Sequence, residues 1–497
     1  MWNADAVRDA LGAACVRSLR CGPHRSGRFA AFLKAVPKGG DLHNHLVGAV
    51  YAETYLAWAK VDGDCIDMTT MSVALADQCS TSHQPVPTSG SFYDELVRAW
   101  SMKDFVPGAQ TGRDHFFMTF RKFMPVALAH SDDSIADVLT RAADDNVLYV
   151  ETMTVLGQNV GSVAAAAWSK PVTAADLPAL YDAIIGNPGF PAALASDVAE
   201  VRGTGYRTRL GCSSPSPPAA CKVGVRFIAQ VARNGPLAQL FGQLVSAYEM
   251  AAVTPQIVGA TLSSPEDHPM SLANYELQMA MLDFLHGKYT ATGRSPLHLS
   301  LHAGELTPKF LPAGSTANTF HIRHAVETGH AERIGHGIDV LSETDPDGLM
   351  DMLKSRNVLV EVCLSSNDQI LEVKGAAHPL AQYLAKGVPF ALATDDQGVS
   401  RSSMTGEYAR AALEQHLDYR QLKTAARTSL EHAFLPGASL WRSVAQGQPV
   451  AECAATDTMR VGDPASGACE QFLAGSERAR MQWELERRFL AFEGAQQ

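Results

Sequence analysis

Residues 297–305 read Leu-His-Leu-Ser-Leu-His-Ala-Gly-Glu, an apolar run that ends in chemically capable side chains. The run predicts a strand, Leu297–His302, and the same pattern recurs along the chain. From Pro37 to about Leu430 short apolar runs alternate with longer helical patterns, the rhythm of βα units around a parallel sheet. The other candidate strands are Gly39–His43, Val147–Met153, Val223–Ile228, Gln256–Leu262, Arg333–His336, Val358–Cys363 and Pro389–Thr394. Lys222–Val231 also reads as the beginning of a helix. Eight such units predict an α/β fold of the (β/α)8 TIM-barrel type.

Two stretches interrupt the rhythm. Asp62–Gln110 is rich in Ser, Thr, Gly and Pro, with one helical piece near Ser91–Met102, and Gly186–Cys221 carries Gly-Asn-Pro-Gly and Ser-Pro-Ser-Pro-Pro. Both read as loop insertions. The chain divides into an N-terminal helical segment (1–36), the barrel (37–436) and a C-terminal extension (437–497) ending in a charged, amphipathic helix, Ser476–Phe492.

Composition narrows the partners. A net charge of −11 without a Lys/Arg block disfavours nucleic acid and anionic membranes. No apolar stretch is long enough for a transmembrane helix. The first residues, MWNADAVRDALGAACVRSLRC, lack a basic start followed by an apolar core, which makes the cytoplasm the default compartment. Cys65/Cys79, Cys212/Cys221 and Cys453/Cys469 fall as local pairs in turn-rich sequence. They suit disulfides of a periplasmic or secreted protein equally well as reduced thiols.

Four motifs carry chemistry at predicted strand ends. In Asp41-Leu42-His43-Asn44-His45, residues i and i+2 of a strand point to one side, so two imidazoles can grip one metal. His302 can add a third ligand. Gly304 lets the chain turn so that Glu305 faces the same pocket as an acid of raised pKa. In Arg333-Ile334-Gly335-His336-Gly337 the glycines leave His336 accessible, to orient an attacking water and take its proton. Ala391-Leu392-Ala393-Thr394-Asp395-Asp396 runs an apolar strand into two carboxylates, the first suited to a metal and the second to substrate. Alone, each motif has a plainer explanation: satisfied histidines, a surface Glu, a loop histidine, an acidic helix cap. Together they place three His and one Asp on the face where barrels keep their chemistry. That is a set fit for one zinc and metal-assisted hydrolysis.

The pieces PKGGDLHNHLVGAV, NVLYVET, LHAGEL, RIGHGI, EVCLSSN, HPL and ATDD, in this order, resemble the adenosine deaminase family. The long first insertion and the cysteine pairs look most like its secreted growth-factor-related branch and bacterial relatives. The resemblance implies one Zn2+ per chain held by His43, His45, His302 and Asp395. It also implies attack on C6 of a purine by a zinc-activated water, with Glu305 protonating ring N1 and His336 handling the water. Asp396 would bind N7, with Gly304 and Ser264 near the substrate. The implied reaction converts adenosine or 2′-deoxyadenosine to the inosine product and ammonia.

Two departures touch the sugar end. After H-x-H-L the family carries an Asp that contacts the ribose 5′-hydroxyl, and here Val47 stands there. The family's D-L-x-G becomes Thr261-Leu262-Ser263-Ser264, followed by Pro265-Glu266-Asp267. Adenine or a modified adenine nucleoside is therefore a rival substrate. Lys309 and Arg401 are the basic residues near enough to meet a phosphate. A growth-factor-like binding protein that keeps the fold is a further reading.

Overall fold

The computed structural model describes residues 23–294, 297–455 and 460–495. Eight parallel strands follow one another in chain order: β1 (Gly40–His45), β2 (Tyr149–Val155), β3 (Gly224–Ala232), β4 (Ile257–Ser263), β5 (His298–Ala303), β6 (Arg333–His336), β7 (Leu359–Val362) and β8 (Phe390–Leu392). All eight expected runs form strands, displaced by no more than a few residues. Lys222–Val231 resolves as the longest of them, because both flanking strands pair with it along its length. A bridge between Asn44 and Asp395 closes the sheet. Asp395 N–H donates to His43 O at 2.8 Å and His45 N–H to Asp395 O at 3.2 Å. The Asp41 carboxylate adds a clasp by accepting from Thr394 N–H (3.2 Å) and its hydroxyl (2.5 Å). The fold is a (β/α)8 barrel with helices between the strands.

The connection after β1 is the long one. Its first part holds the expected helix, at Ser91–Ala99, and, where an irregular loop was expected, a small antiparallel sheet of Cys65–Asp67, Ser72–Ala74 and His83–Pro85. There follows α1 (Gly112–Ala129), capped by Thr111, whose hydroxyl accepts from Asp114 N–H at 3.0 Å. Phe116, Phe117, Phe120 and Met124 lie at helical spacing and form one apolar face. Ile66, Val73, Trp100 and Phe123 share a second core with this helix, so the insertion buttresses α1.

The Gly186–Cys221 stretch is more ordered than its composition suggests. A 13-residue helix, Phe190–Arg202, carries Pro191 in its first turn, where a missing N–H costs nothing. Between β7 and β8 lies α2 (Leu364–Leu371), and after β8 comes α3 (Met404–Glu414). The extension ends in α4 (Glu477–Ala495), which brings Leu485, Phe489 and Phe492 into the main core. Arg427 pairs bidentately with its Glu486 at 2.7 and 2.6 Å. Of the N-terminal segment, Pro23–Ala35 is helical. The remainder, including the stretch read for a leader, lies outside the described residues. Disulfides join Cys65–Cys79, Cys212–Cys221 and Cys453–Cys469. None of the described helices is long and apolar enough to cross a membrane.

Candidate metal centre and cavity

The strand ends bring His43, His45 and His302 together, with ligand atoms within 4.8 Å of one another. Each ring is turned by a partner on its far nitrogen. His43 Nδ1 donates to Glu361 Oε2 (2.7 Å), His45 Nδ1 to Gln230 Oε1 (2.9 Å) and His302 Nδ1 to Thr261 Oγ1 (2.9 Å). The Glu361 carboxylate can only accept, which turns the His43 Nε2 lone pair inward, and Gln230 and Thr261 can accept likewise from the other two rings when their Nε2 atoms serve as ligands. His45 Nε2 and His302 Nε2 then sit 3.1 Å apart, and His43 Nε2 is buried without a hydrogen-bond partner. Asp395 Oδ1 lies 3.7 Å from His43 Nε2 and 3.5 Å from His45 Nε2. Burial alone would raise the Asp395 pKa, but His43, His336 and His45 bring it down to about 2. Three imidazole nitrogens and a carboxylate oxygen converging in a buried space are a donor set that a cation would satisfy. The three-nitrogen, one-oxygen set fits a divalent metal such as zinc.

Glu361 was not anticipated, and it anchors this arrangement. It is fully buried, receives Ser300 Oγ at 2.8 Å and pairs with Arg333 Nε at 2.7 Å. Burial would raise its pKa, yet Arg333 and His43 hold it below the usual value. Arg333 in turn pairs with buried Glu151 at 2.6 Å.

Glu305 and His336 face the same space, with His336 Nε2 3.7 Å from Glu305 Oε1 and 3.9 Å from Asp395 Oδ2. Burial, reinforced by Asp395 and Glu266, raises the Glu305 pKa well above a normal carboxyl. Burial lowers that of His336 to about 4, so the ring is neutral. Asp396 is pushed up by burial and by neighbouring Asp395, and its Oδ1 has no partner. That oxygen packs over Gly48, where a Cβ would stand 1.7 Å away.

The turn that carries Glu305 is pinned from behind. Glu266 accepts from Gly304 N–H (3.2 Å) and Glu305 N–H (2.8 Å), and from His321 Nδ1 (2.6 Å). Arg233, beside Glu266, donates to the carbonyls of Leu262 (2.8 Å) and His302 (2.6 Å). The Gly304 amide is therefore taken, and Gly304 is absent from the cavity wall. Its expected contact with substrate gives way to a role in the turn, at φ 75°.

The cavity holds about 590 Å³. One wall is apolar, from Val47, Val155, Ile370 and the aromatic face of α1. The other is polar, from Gln230, Asn234, Ser263, Ser264 and His268. Val47 does face the cavity, and Ser264 holds the left-handed conformation (φ 84°) that a glycine would favour. The basic residues at the wall are Arg113 and Arg121, which the sequence did not single out; Arg113 pairs with Asp267 and, at 3.1 Å, with Asp114. Lys309 and Arg401 are absent from the wall and pair with Glu372 and Glu53, each at 2.5 Å.

These features define a barrel protein with a candidate metal centre at the mouth and, beside it, a buried carboxyl of raised pKa. The family model described as adenosine deaminase matches residues 218–440, from before β3 to beyond β8. The adenosine deaminase of Klebsiella pneumoniae (strain 342) is 33% identical over 217 residues, 43% of this chain and 59% of that protein. That of Escherichia coli (strain SMS-3-5 / SECEC) is 31% identical over 202 residues, 40% of this chain and 56% of that one. The alignments thus span little more than half the length of these relatives. Among solved structures, an adenine deaminase from Arthrobacter aurescens superposes with a TM-score of 0.49 at 20% identity, covering 81% of this chain and 95% of that one. The N6-methyl-AMP deaminase of Arabidopsis thaliana gives 0.47 at 20%, covering 82% and 94%. Over residues 218–440 the chain is similar to the adenosine deaminase family.

Proposed function

We propose that this chain is a zinc-dependent hydrolase that deaminates a 6-aminopurine nucleoside, adenosine or 2′-deoxyadenosine, to the 6-oxo product and ammonia. The observation that carries the reading is Glu305, a buried carboxyl of raised pKa that lines the cavity beside the three-histidine, one-aspartate cluster. Zinc held by His43, His45, His302 and Asp395 would supply Lewis acidity, bringing the pKa of a water near about 7 so that it attacks C6. Glu305 gives its proton to ring N1 as C6 becomes tetrahedral, so that no charge accumulates on the ring. His336 orients the water, and Asp396, whose pKa is raised by burial and by Asp395, meets N7. The aromatic face of α1 covers the base and excludes bulk water.

A second reading, deamination of adenine or a modified adenine nucleoside, is favoured by Val47 on the wall, which offers nothing to a 5′-hydroxyl. Ammonia release from adenosine, 2′-deoxyadenosine, adenine and adenylate, with and without a chelator and alongside metal analysis, separates the readings. Turnover of adenylate alone would overturn the first, and chelator-insensitive turnover would overturn the metal. Glu305→Gln is expected to keep the metal and lose about 10²–10⁴-fold in kcat; normal turnover would remove Glu305 from the reaction. The three disulfides support an oxidising compartment, periplasmic or extracellular. Alkylation of the freshly extracted protein tests this, and six reactive thiols at those positions would oppose it.

A further inference from the structure

Two of the sequence pieces, Ser365-Ser366-Asn367 and His378-Pro379-Leu380, have no part in the chemistry above. In the fold they meet behind His336. Leu380 N–H donates to His378 Nδ1 at 3.1 Å, His378 Nε2 lies 3.2 Å from Asn367 Oδ1, and Asn367 Nδ2 lies 3.0 Å from His336 Nδ1. His378, Asn367 and His336 are each at most 1% exposed, so no solvent relieves a mismatch.

The donors and acceptors permit one assignment. A backbone N–H can only donate, so His378 Nδ1 accepts and its hydrogen is on Nε2. That hydrogen goes to the Asn367 oxygen. The Asn367 amide then turns its NH2 to His336, whose Nδ1 must accept. Rotating the amide by half a turn would set N–H against N–H at His378. Burial keeps His378 neutral, lowering its pKa to about 3, in line with this order.

We infer that Asn367 and His378 are positioning residues that lock His336 in the Nε2–H tautomer, making it a hydrogen-bond donor into the cavity. The inference rests on the proposed deamination. There it sharpens the role of His336: the ring donates to the attacking oxygen and steadies its negative charge. The proton acceptance expected from the sequence has no lone pair available at Nε2. Asn367 and His378 touch neither substrate nor metal and act only through this ring.

The test combines spectroscopy with kinetics on the zinc-loaded protein carrying 15N-labelled histidine. Long-range 15N–1H spectra are expected to give His336 a protonated Nε2 and an unprotonated Nδ1; the reverse pattern in the unmodified protein would overturn the inference without any variant. Asn367→Asp places an acceptor at both neighbours, so His336 is expected to flip to Nδ1–H. A misassigned imidazole tautomer costs about 10²–10⁴-fold in kcat, here with KM and zinc content little changed. A flipped ring with unimpaired kcat would overturn the donor role. Absence of turnover on every aminopurine by the unmodified protein would instead overturn the deaminase reading and leave the tautomer result standing.

Discussion

Val47 lines the cavity and adds an apolar surface where the resemblance to adenosine deaminases implies a carboxylate. Val47→Asp is expected to raise the preference for adenosine over adenine about tenfold, the worth of one good hydrogen bond. An unchanged ratio of kcat/KM values would mean the sugar does not meet this wall. Glu361 acts from beneath the site. Glu361→Gln should weaken metal binding about 10–100-fold by releasing the His43 ring; chelator competition measures it, and unaltered affinity would deny Glu361 this role. The two residues differ in legibility. Val47 announced itself by following His45 closely in sequence. Glu361, Gln230 and Thr261 did not, because each lies on a different strand from the histidine it orients and looks like an ordinary polar residue in an apolar run. Their pairing is a property of barrel closure.

At the level of elements, α3 and α2 meet through Glu407, which accepts from Ser365 N–H at 3.2 Å while its other oxygen has no partner. Burial outweighs Ser365 and Arg410 and raises its pKa from 4.5 to about 7. Between those values the folded chain holds a proton that the unfolded chain has released. The contribution is therefore fully present below the unfolded value and is lost as pH rises through about 7. Glu407→Gln should then gain about 1–3 kcal/mol on the unmodified chain between pH 5 and pH 8. Denaturant unfolding at both pH values measures this, and a constant difference would place no titration here. Sequence patterns found the long elements and missed some local ones. The helix Phe190–Arg202 hid behind Gly186-Asn187-Pro188-Gly189, whose turn immediately precedes it. The three-residue strands of the first insertion are too short to carry a period.

For the whole molecule, the alternation of runs was enough to imply the barrel, because strands buried on both faces read as largely apolar runs. The cysteine pairs were legible as pairs through their spacing, while their bonded state needed the geometry of the loops. What the sequence could not convey is the order in which the site comes together. The bridge between Asn44 and Asp395 joins the first strand to the end of the last. On a ribosome, His43, His45 and His302 emerge long before Asp395, and the cavity has no fourth wall until β8 arrives. The amino-terminal part of the nascent chain must therefore wait, with its apolar strand edges open, for a segment 350 residues further on (Asn44 to Thr394). Truncation before β8 would thus leave an aggregation-prone chain with an open sheet. The same contact that closes the barrel brings Asp395 up to His43 and His45.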